Sequence, residues 1–147
     1  MKDMDKSYKV LIIMLVIAGI LFGINTFFNK DDVKDYTLED YIDLGNDKIS
    51  SIYYVIGEKK IDSTKTGFDN RGDYIEITYK NLSLVEITNY LVELRAHDYV
   101  LINSDKHNAT IANKSVDDGK VITIEINYLN DKTKIKYSKG NGSLNKD

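Results

Sequence analysis

Nineteen consecutive residues near the amino end, Val10 to Phe28, read VLIIMLVIAGILFGINTFF, carry no charge, and include thirteen Val, Leu, Ile or Phe. As a helix rising roughly 1.5 Å per residue they reach about 28 Å, close to the ~30 Å hydrocarbon core of a bilayer. At about −0.3 to −0.6 kcal/mol for each central apolar residue, the thirteen contribute about −4 to −8 kcal/mol, which outweighs the cost of Gly19, Gly23 and Asn25. The run is longer than the apolar region of a cleaved signal peptide. It ends in Asn25-Thr26-Phe27-Phe28-Asn29, without a small-residue cleavage site. A single uncleaved transmembrane helix is therefore predicted over 10–28.

The flanks set its direction. Lys2, Lys6, Lys9 and the amino group precede the run, whereas only Lys30 and Lys34 follow it closely. By the positive-inside rule residues 1–9 stay in the cytoplasm and everything after 28 lies outside, making a single-pass cell-membrane protein with an extracytoplasmic C-terminal domain. Gly19 and Gly23 form a small-xxx-small pair, which lets two such helices approach closely and gives a candidate homodimer contact.

The remaining length suits one domain of a 147-residue chain. Its 20 basic against 23 acidic residues give a net charge of −3, without the surplus of cations that phosphate neutralisation demands, so nucleic acid is excluded as a partner class. With no cysteine there is neither a disulfide nor a thiolate zinc site, and the outer domain must be held by its core alone.

Residues 29–48 read as an acidic juxtamembrane linker. Within it Thr37 can cap, Glu39 and Asp40 complement a helix dipole, and Gly45 can close a short helix over 38–44. From Ile49 the period changes to two. Ile52, Tyr54 and Ile56 alternate with Tyr53 and Val55, and Ile75, Ile77 and Tyr79 alternate with Tyr74, Glu76 and Thr78, predicting two strands joined by a mobile polar link over 62–73. Ser83 three residues before Glu86 is a capping box, so a helix starts there and runs to about Asp98, its apolar stripe formed by Leu84, Ile87, Leu91 and Leu94.

Tyr99 to Ile102 reads as a strand, 109–116 as either a weak strand or a loop, and Val121 to Leu129 as a strong strand. Asn130-Asp131 is a hairpin turn into Lys132–Tyr137, a register that sets Ile126 against Ile135, Ile124 against Tyr137 and Glu125 against Lys136. Residues 138–147 are expected to be a disordered tail. The sum is an α+β domain over 49–137, with one main helix packed on one face of a small antiparallel sheet of four to five strands.

Chemistry-bearing motifs are scarce. Of two histidines, His97 falls at the helix end, where a cation complements the dipole, and His107 lies in the turn Asp105-Lys106-His107-Asn108. Neither a metalloprotease, nucleophile-elbow, phosphate-loop nor dinucleotide pattern occurs. Asp69-Asn70-Arg71-Gly72-Asp73 and Asp117-Asp118-Gly119 lack the closing Glu of a calcium loop and read as turns. Hence no catalytic, cofactor-binding or metal residue is assigned, and no cofactor is expected.

What remains is tyrosine, eleven in all. If Ile52, Tyr54 and Ile56 share the buried side with Ile75, Ile77 and Tyr79, then Tyr53, Val55 and Tyr74 occupy the opposite, open face beside Glu125, Asn127, Lys134 and Lys136. That makes the three a candidate interface for an envelope protein or glycan.

In element order over 83–140, a helix followed by an antiparallel meander behind one anchor, the chain resembles small extracytoplasmic domains of bacterial envelopes, including the PepSY type, a likeness that carries no functional residue. The expected function is a non-catalytic binding or assembly domain on a membrane anchor in a bacterial envelope. The alternative is a small metal-dependent or hydrolytic envelope enzyme using the Asp105/His107 loop.

Overall fold

The computed structural model describes residues 34–144. The predicted membrane segment 10–28, with the segment 1–9 before it, lies outside them, and among the described residues no helix is long and apolar enough to cross a membrane. Among the described residues eight antiparallel strands form two sheets. A hairpin pairs β1 (Tyr41–Leu44) with β2 (Asp47–Ser50), and a six-stranded sheet contains β3 (Ile61–Asp69), β4 (Gly72–Lys80), β5 (Val100–Ser104), β6 (Asn108–Lys114), β7 (Lys120–Leu129) and β8 (Lys132–Asn141), in the order β3-β4-β8-β7-β6-β5. Only two short helices occur among the described residues, α1 (Ile52–Val55) and α2 (Leu84–Ala96). The α+β expectation of four to five strands is thus corrected to a mostly β, two-sheet fold.

Four local misreadings account for the correction. Gly45, expected to close a helix, sits at φ 61° as the first central residue of the two-residue turn Gly45-Asn46, which brings Leu44 opposite Asp47. Gly-Asn between alternating residues is a hairpin signal. Thr37 caps nothing; its backbone N–H and hydroxyl both donate to the Asp35 carboxylate, at 3.0 and 2.6 Å.

Ile52–Val55, expected as a strand, is helical because Ser51 caps it, accepting from the Tyr54 N–H at 3.1 Å while its hydroxyl donates to the Glu39 carbonyl. The polar stretch 62–73 holds β3 and its turn to β4. As the outermost strand it is polar on both sides, so no apolar alternation announced it. The expected tail begins inside a strand: β8 continues to Asn141, and Ser138 and Lys139 are buried between β4 and β7. The ambiguous segment 109–116 resolves as β6 over most of its length.

The predicted hairpin register is the observed one, with Ile126 opposite Ile135, Ile124 opposite Tyr137 and Glu125 opposite Lys136. One face of the six-stranded sheet therefore presents Ile75, Ile77, Ile111, Ile122, Ile124, Ile126, Ile135 and Tyr137 to the core, where α2 and the β1–β2 hairpin cover them. The hairpin contributes Ile42, Leu44 and Ile49, and α1 contributes Ile52.

Helix α2 begins as predicted. Ser83 accepts from the Glu86 N–H at 3.1 Å and the Glu86 carboxylate accepts from the Ser83 N–H at 2.9 Å. Its buried side is rotated from the predicted stripe: Ile87, Tyr90 and Leu94 are buried, Leu91 is half-buried, and Leu84 is 55% exposed. Tyr90 anchors that side, its hydroxyl donating to the Ser50 carbonyl at 2.6 Å and so leaving Tyr137 to donate to it at 2.7 Å. Replacing Ser83 by Ala removes half of the capping box and is expected to cost about 1 kcal/mol, read as a lower denaturation midpoint at unchanged m-value.

Candidate functional site

A concavity of about 390 Å³ lies where the β1–β2 hairpin, the end of α2 and β6 converge. Its walls include Tyr41 and Lys48 of the hairpin, Tyr54 of α1, His97 and Tyr99 after α2, and Asn113 of β6. Concave sites of mixed apolar and polar lining are where small ligands and partner side chains are usually received. At one rim Tyr41 and Tyr54 stack with ring centroids 5.6 Å apart and planes at 26°, so their faces are spent partly on one another. His97 keeps Nδ1 3.0 Å from the Glu93 carbonyl and 3.5 Å from its carboxylate, the helix-end arrangement the sequence suggested. The His97 carbonyl accepts from the Asn113 side-chain amide at 3.1 Å, which ties β6 to the end of α2.

Beneath this cleft lies a buried ion-pair cluster. Lys139 projects from β8 on the core side, beside Ile122 of β7, and its ammonium meets the Asp47 carboxylate at 2.8 Å, the Leu44 carbonyl at 3.2 Å and the Asp117 carboxylate. Asp47, only 5% exposed, also accepts from the Ser115 hydroxyl at 2.5 Å and the Val116 N–H at 2.9 Å. Burial alone would raise the Asp47 carboxyl, but hydrogen bonds from Lys139, Ser115 and Val116 and the lysine's charge hold it below its ordinary 3.8. Lys139 is lifted above 10.5, since the two carboxylates outweigh a burial that would lower it. Asp117 also accepts from the Asn46 side chain at 3.0 Å, so every member of the cluster is bonded.

Chemically, this cluster is a clamp. The lysine keeps Asp47 ionised and occupied, so the carboxylate is a fixed counter-charge and not a poised base; its contacts with Asp47 and the Leu44 carbonyl fasten the hairpin turn to β8, and that with Asp117 fastens the β6–β7 connection to the same strand. Nearby, burial and the charge of Asp47 push the Tyr99 phenol well above its usual range, keeping it a neutral donor or acceptor in the cleft wall. Among the described residues no group of three or more His, Cys, Asp or Glu side chains could hold a metal ion.

The sequence-derived interface residues are not brought together on one sheet face. Tyr53 and Val55 belong to α1, both half-buried, and Val55 packs against the core. Tyr74 does lie on the open face of β4, where its ring covers Gly67 of the neighbouring strand: a Cβ there would fall 2.6 Å from the phenol oxygen. The Lys136 ammonium stands 4.5 Å from the ring centroid on the other side. An aromatic ring filling the place of a missing side chain on an edge strand is a sheet-stabilising device.

The open face around Tyr74 is a ladder of alternating charge, in which Lys65, Glu76, Lys136 and Glu125 follow one another across β3, β4, β8 and β7. In the Asp105/His107 loop the Asp105 carboxylate accepts from the backbone N–H groups of His107 and Asn108 at 2.8 and 2.9 Å, bonds that close the β5–β6 turn and hold the carboxyl below its ordinary value. Gly72 of the Arg71-Gly72-Asp73 tripeptide sits at φ 102°, where a Cβ would lie 2.0 Å from the Lys139 carbonyl, so close strand approach dictates that glycine.

The sequence reading missed the Asp47–Lys139 clamp altogether. No protein-family model matches the chain, and comparison with curated proteins and with solved structures returns no match either.

Proposed function

We propose that the chain is a membrane-anchored, non-catalytic binding or assembly protein of a bacterial cell envelope, with residues 1–9 in the cytoplasm and the β domain outside. The observation that carries this reading is the uncharged run Val10–Phe28 with its lysine-rich amino flank. Within that domain the cleft under the β1–β2 hairpin is the surface offered to the partner, because the clamp beneath fixes its shape in advance of binding. With no cysteine, the domain takes its stability from packing and buried pairs and not from disulfides.

The topology is testable in whole cells. An epitope placed after Asp147 is expected to be digested by protease added to spheroplasts, and one at the amino terminus to be spared. Protection of the C-terminal epitope would reverse the orientation, and release of the chain by carbonate wash would remove the anchor.

A further inference from the structure

The β1–β2 hairpin is a sheet of two strands, so β2 has one edge against β1 and the other against the cleft, whose wall it supplies from Asp47 to Ser50. The register fixes which backbone groups face the cleft. Beyond Ser50 the ladder continues with the Ser51 N–H donating to the Asp40 carbonyl at 3.0 Å, and opposed residues of an antiparallel pair alternate between exchanging bonds and turning them outward. Asp40–Ser51, Ile42–Ile49 and Leu44–Asp47 thus bond across the hairpin, while Lys48 and Ser50 turn their N–H and C=O groups away from β1. The Tyr90 hydroxyl takes the Ser50 carbonyl at 2.6 Å. The Lys48 N–H, the Lys48 carbonyl and the Ser50 N–H have no partner among the described residues. The Lys48 ammonium does not guard this edge, because it reaches across to Asp43 of β1 at 3.0 Å.

A side chain in the same cleft is in the same condition. Tyr99 is 8% exposed, yet its hydroxyl has no hydrogen-bond partner among the described residues, and it is not sealed in the core as the orphaned Tyr79 hydroxyl is. It meets solvent in the cleft that Tyr99 lines. Buried hydroxyls are ordinarily bonded, so one left open in a concavity points to a ligand group. The unpaired groups also have a common pattern: a donor and an acceptor on one extended residue, and a second donor two residues on, roughly 6.8 Å away, which is the repeat of another extended backbone. The floor is uncharged in effect, with Leu94 and Ile122 beside an Asp47 already neutralised by Lys139.

We infer that the cleft receives an extended peptide of a partner protein, paired as a third strand on the Lys48 edge of β2, with the Tyr99 hydroxyl donating to a peptide carbonyl and an apolar side chain lying over Leu94 and Ile122. This names the chemistry of the partner and rests on the reading of the cleft as the partner surface.

The test uses the full-length chain in detergent micelles, with a displayed library of random linear peptides as probe and β-1,4-linked N-acetylglucosamine oligomers as the competing chemistry. Selected peptides are expected to lose about tenfold in affinity on Lys48→Pro, which deletes the outward N–H, and to be indifferent to Lys48→Ala, which keeps it. Proline fits there because that N–H takes no part in the pairing with β1. Tyr99→Phe is expected to weaken the same peptides several-fold at unchanged denaturation midpoint, since no group of the protein loses a partner. Whatever becomes of the proline variant, N-methylation along a bound peptide is expected to abolish binding at alternate peptide bonds and to be tolerated between them.

Failure to select any peptide, binding of the oligosaccharides in place of peptides, N-methyl sensitivity without the alternation, or indifference to both Lys48→Pro and Tyr99→Phe would each overturn the strand pairing. The cleft itself is judged separately, by Tyr54→Cys carrying a photo-crosslinker in native membranes, a single thiol in a chain that has no other. Absence of any protein adduct there removes the cleft as the partner surface, whereas adducts together with peptides that fail the alternation remove only the added strand.

Discussion

Replacing Lys139 by Met is expected to destabilise the domain by about 3–5 kcal/mol, because it leaves the Asp47 carboxylate, 5% exposed, without its counter-ion. Against a total stability of about 5–15 kcal/mol for a domain of this size, that is a large share. Met fills the aliphatic space, so the loss reports on charge more than on a cavity. Adding Asp47→Asn to the variant is expected to recover part of the loss, since no buried charge then remains unpaired. Equal stability of wild type and Lys139→Met in denaturant titrations would show that the clamp contributes nothing.

The pH dependence has a definite sign on each side. Asp47 has a folded pKa depressed below 3.8, so its contribution is present above that value and is lost as pH falls through the lower folded one. Lys139 is raised above 10.5, so its contribution is complete below that value and is lost as pH rises through the higher folded one. Stability from the clamp is therefore flat across the neutral range. In Lys139→Met the lysine's hydrogen bond and charge are gone and only Ser115 and Val116 still hold the carboxyl down, so the acid limb of the stability curve is expected to move to higher pH.

The second large effect concerns α2. Leu94, buried against the sheet, is expected to cost about 2–5 kcal/mol when replaced by Ala, whereas half-buried Leu91 should cost about 1 kcal/mol. The difference follows from the rotation of the buried side towards Tyr90, whose hydroxyl reaches the Ser50 carbonyl. A tyrosine at that position reads as surface in a stripe drawn through leucines, yet the polar tip needs only two partners to be buried whole. Equal losses for Leu91→Ala and Leu94→Ala would place the leucine stripe back on the core.

How much was legible follows the range of the interactions. The Ser83 capping box and the Asn130-Asp131 hairpin were readable because the residues that decide them lie within a few positions, and both stand as read. Ser51 caps α1 by the same chemistry, but the β-branched and aromatic run behind it spoke for a strand, and the local cap prevailed over propensity. Strand β3 was hidden by its position: an edge strand needs no apolar face, so Ser63, Thr64, Lys65 and Thr66 looked like a loop. The clamp was beyond reach, since Lys139 meets the Leu44 carbonyl across 95 positions and lies in a Gly, Asn, Ser and Lys stretch that resembles a tail. Tyr74 was placed on the open face correctly, although its neighbour there is Gly67 and not Tyr53.

The sheet order has one more consequence, which concerns time. Strand β8 follows all the other strands in the chain yet occupies the interior of the sheet between β4 and β7, and it also delivers Lys139 to the hairpin. A polypeptide made from its amino end thus completes two fragments first, β3–β4 and β5–β6–β7, whose facing edges cannot meet because the strand that joins them has not yet emerged. Non-local closure of this kind is slow, and until it happens β4 and β7 both stand open to wrong partners. Truncation just before Lys132 therefore does not trim the domain: it leaves the sheet in two pieces, and the clamp without its lysine.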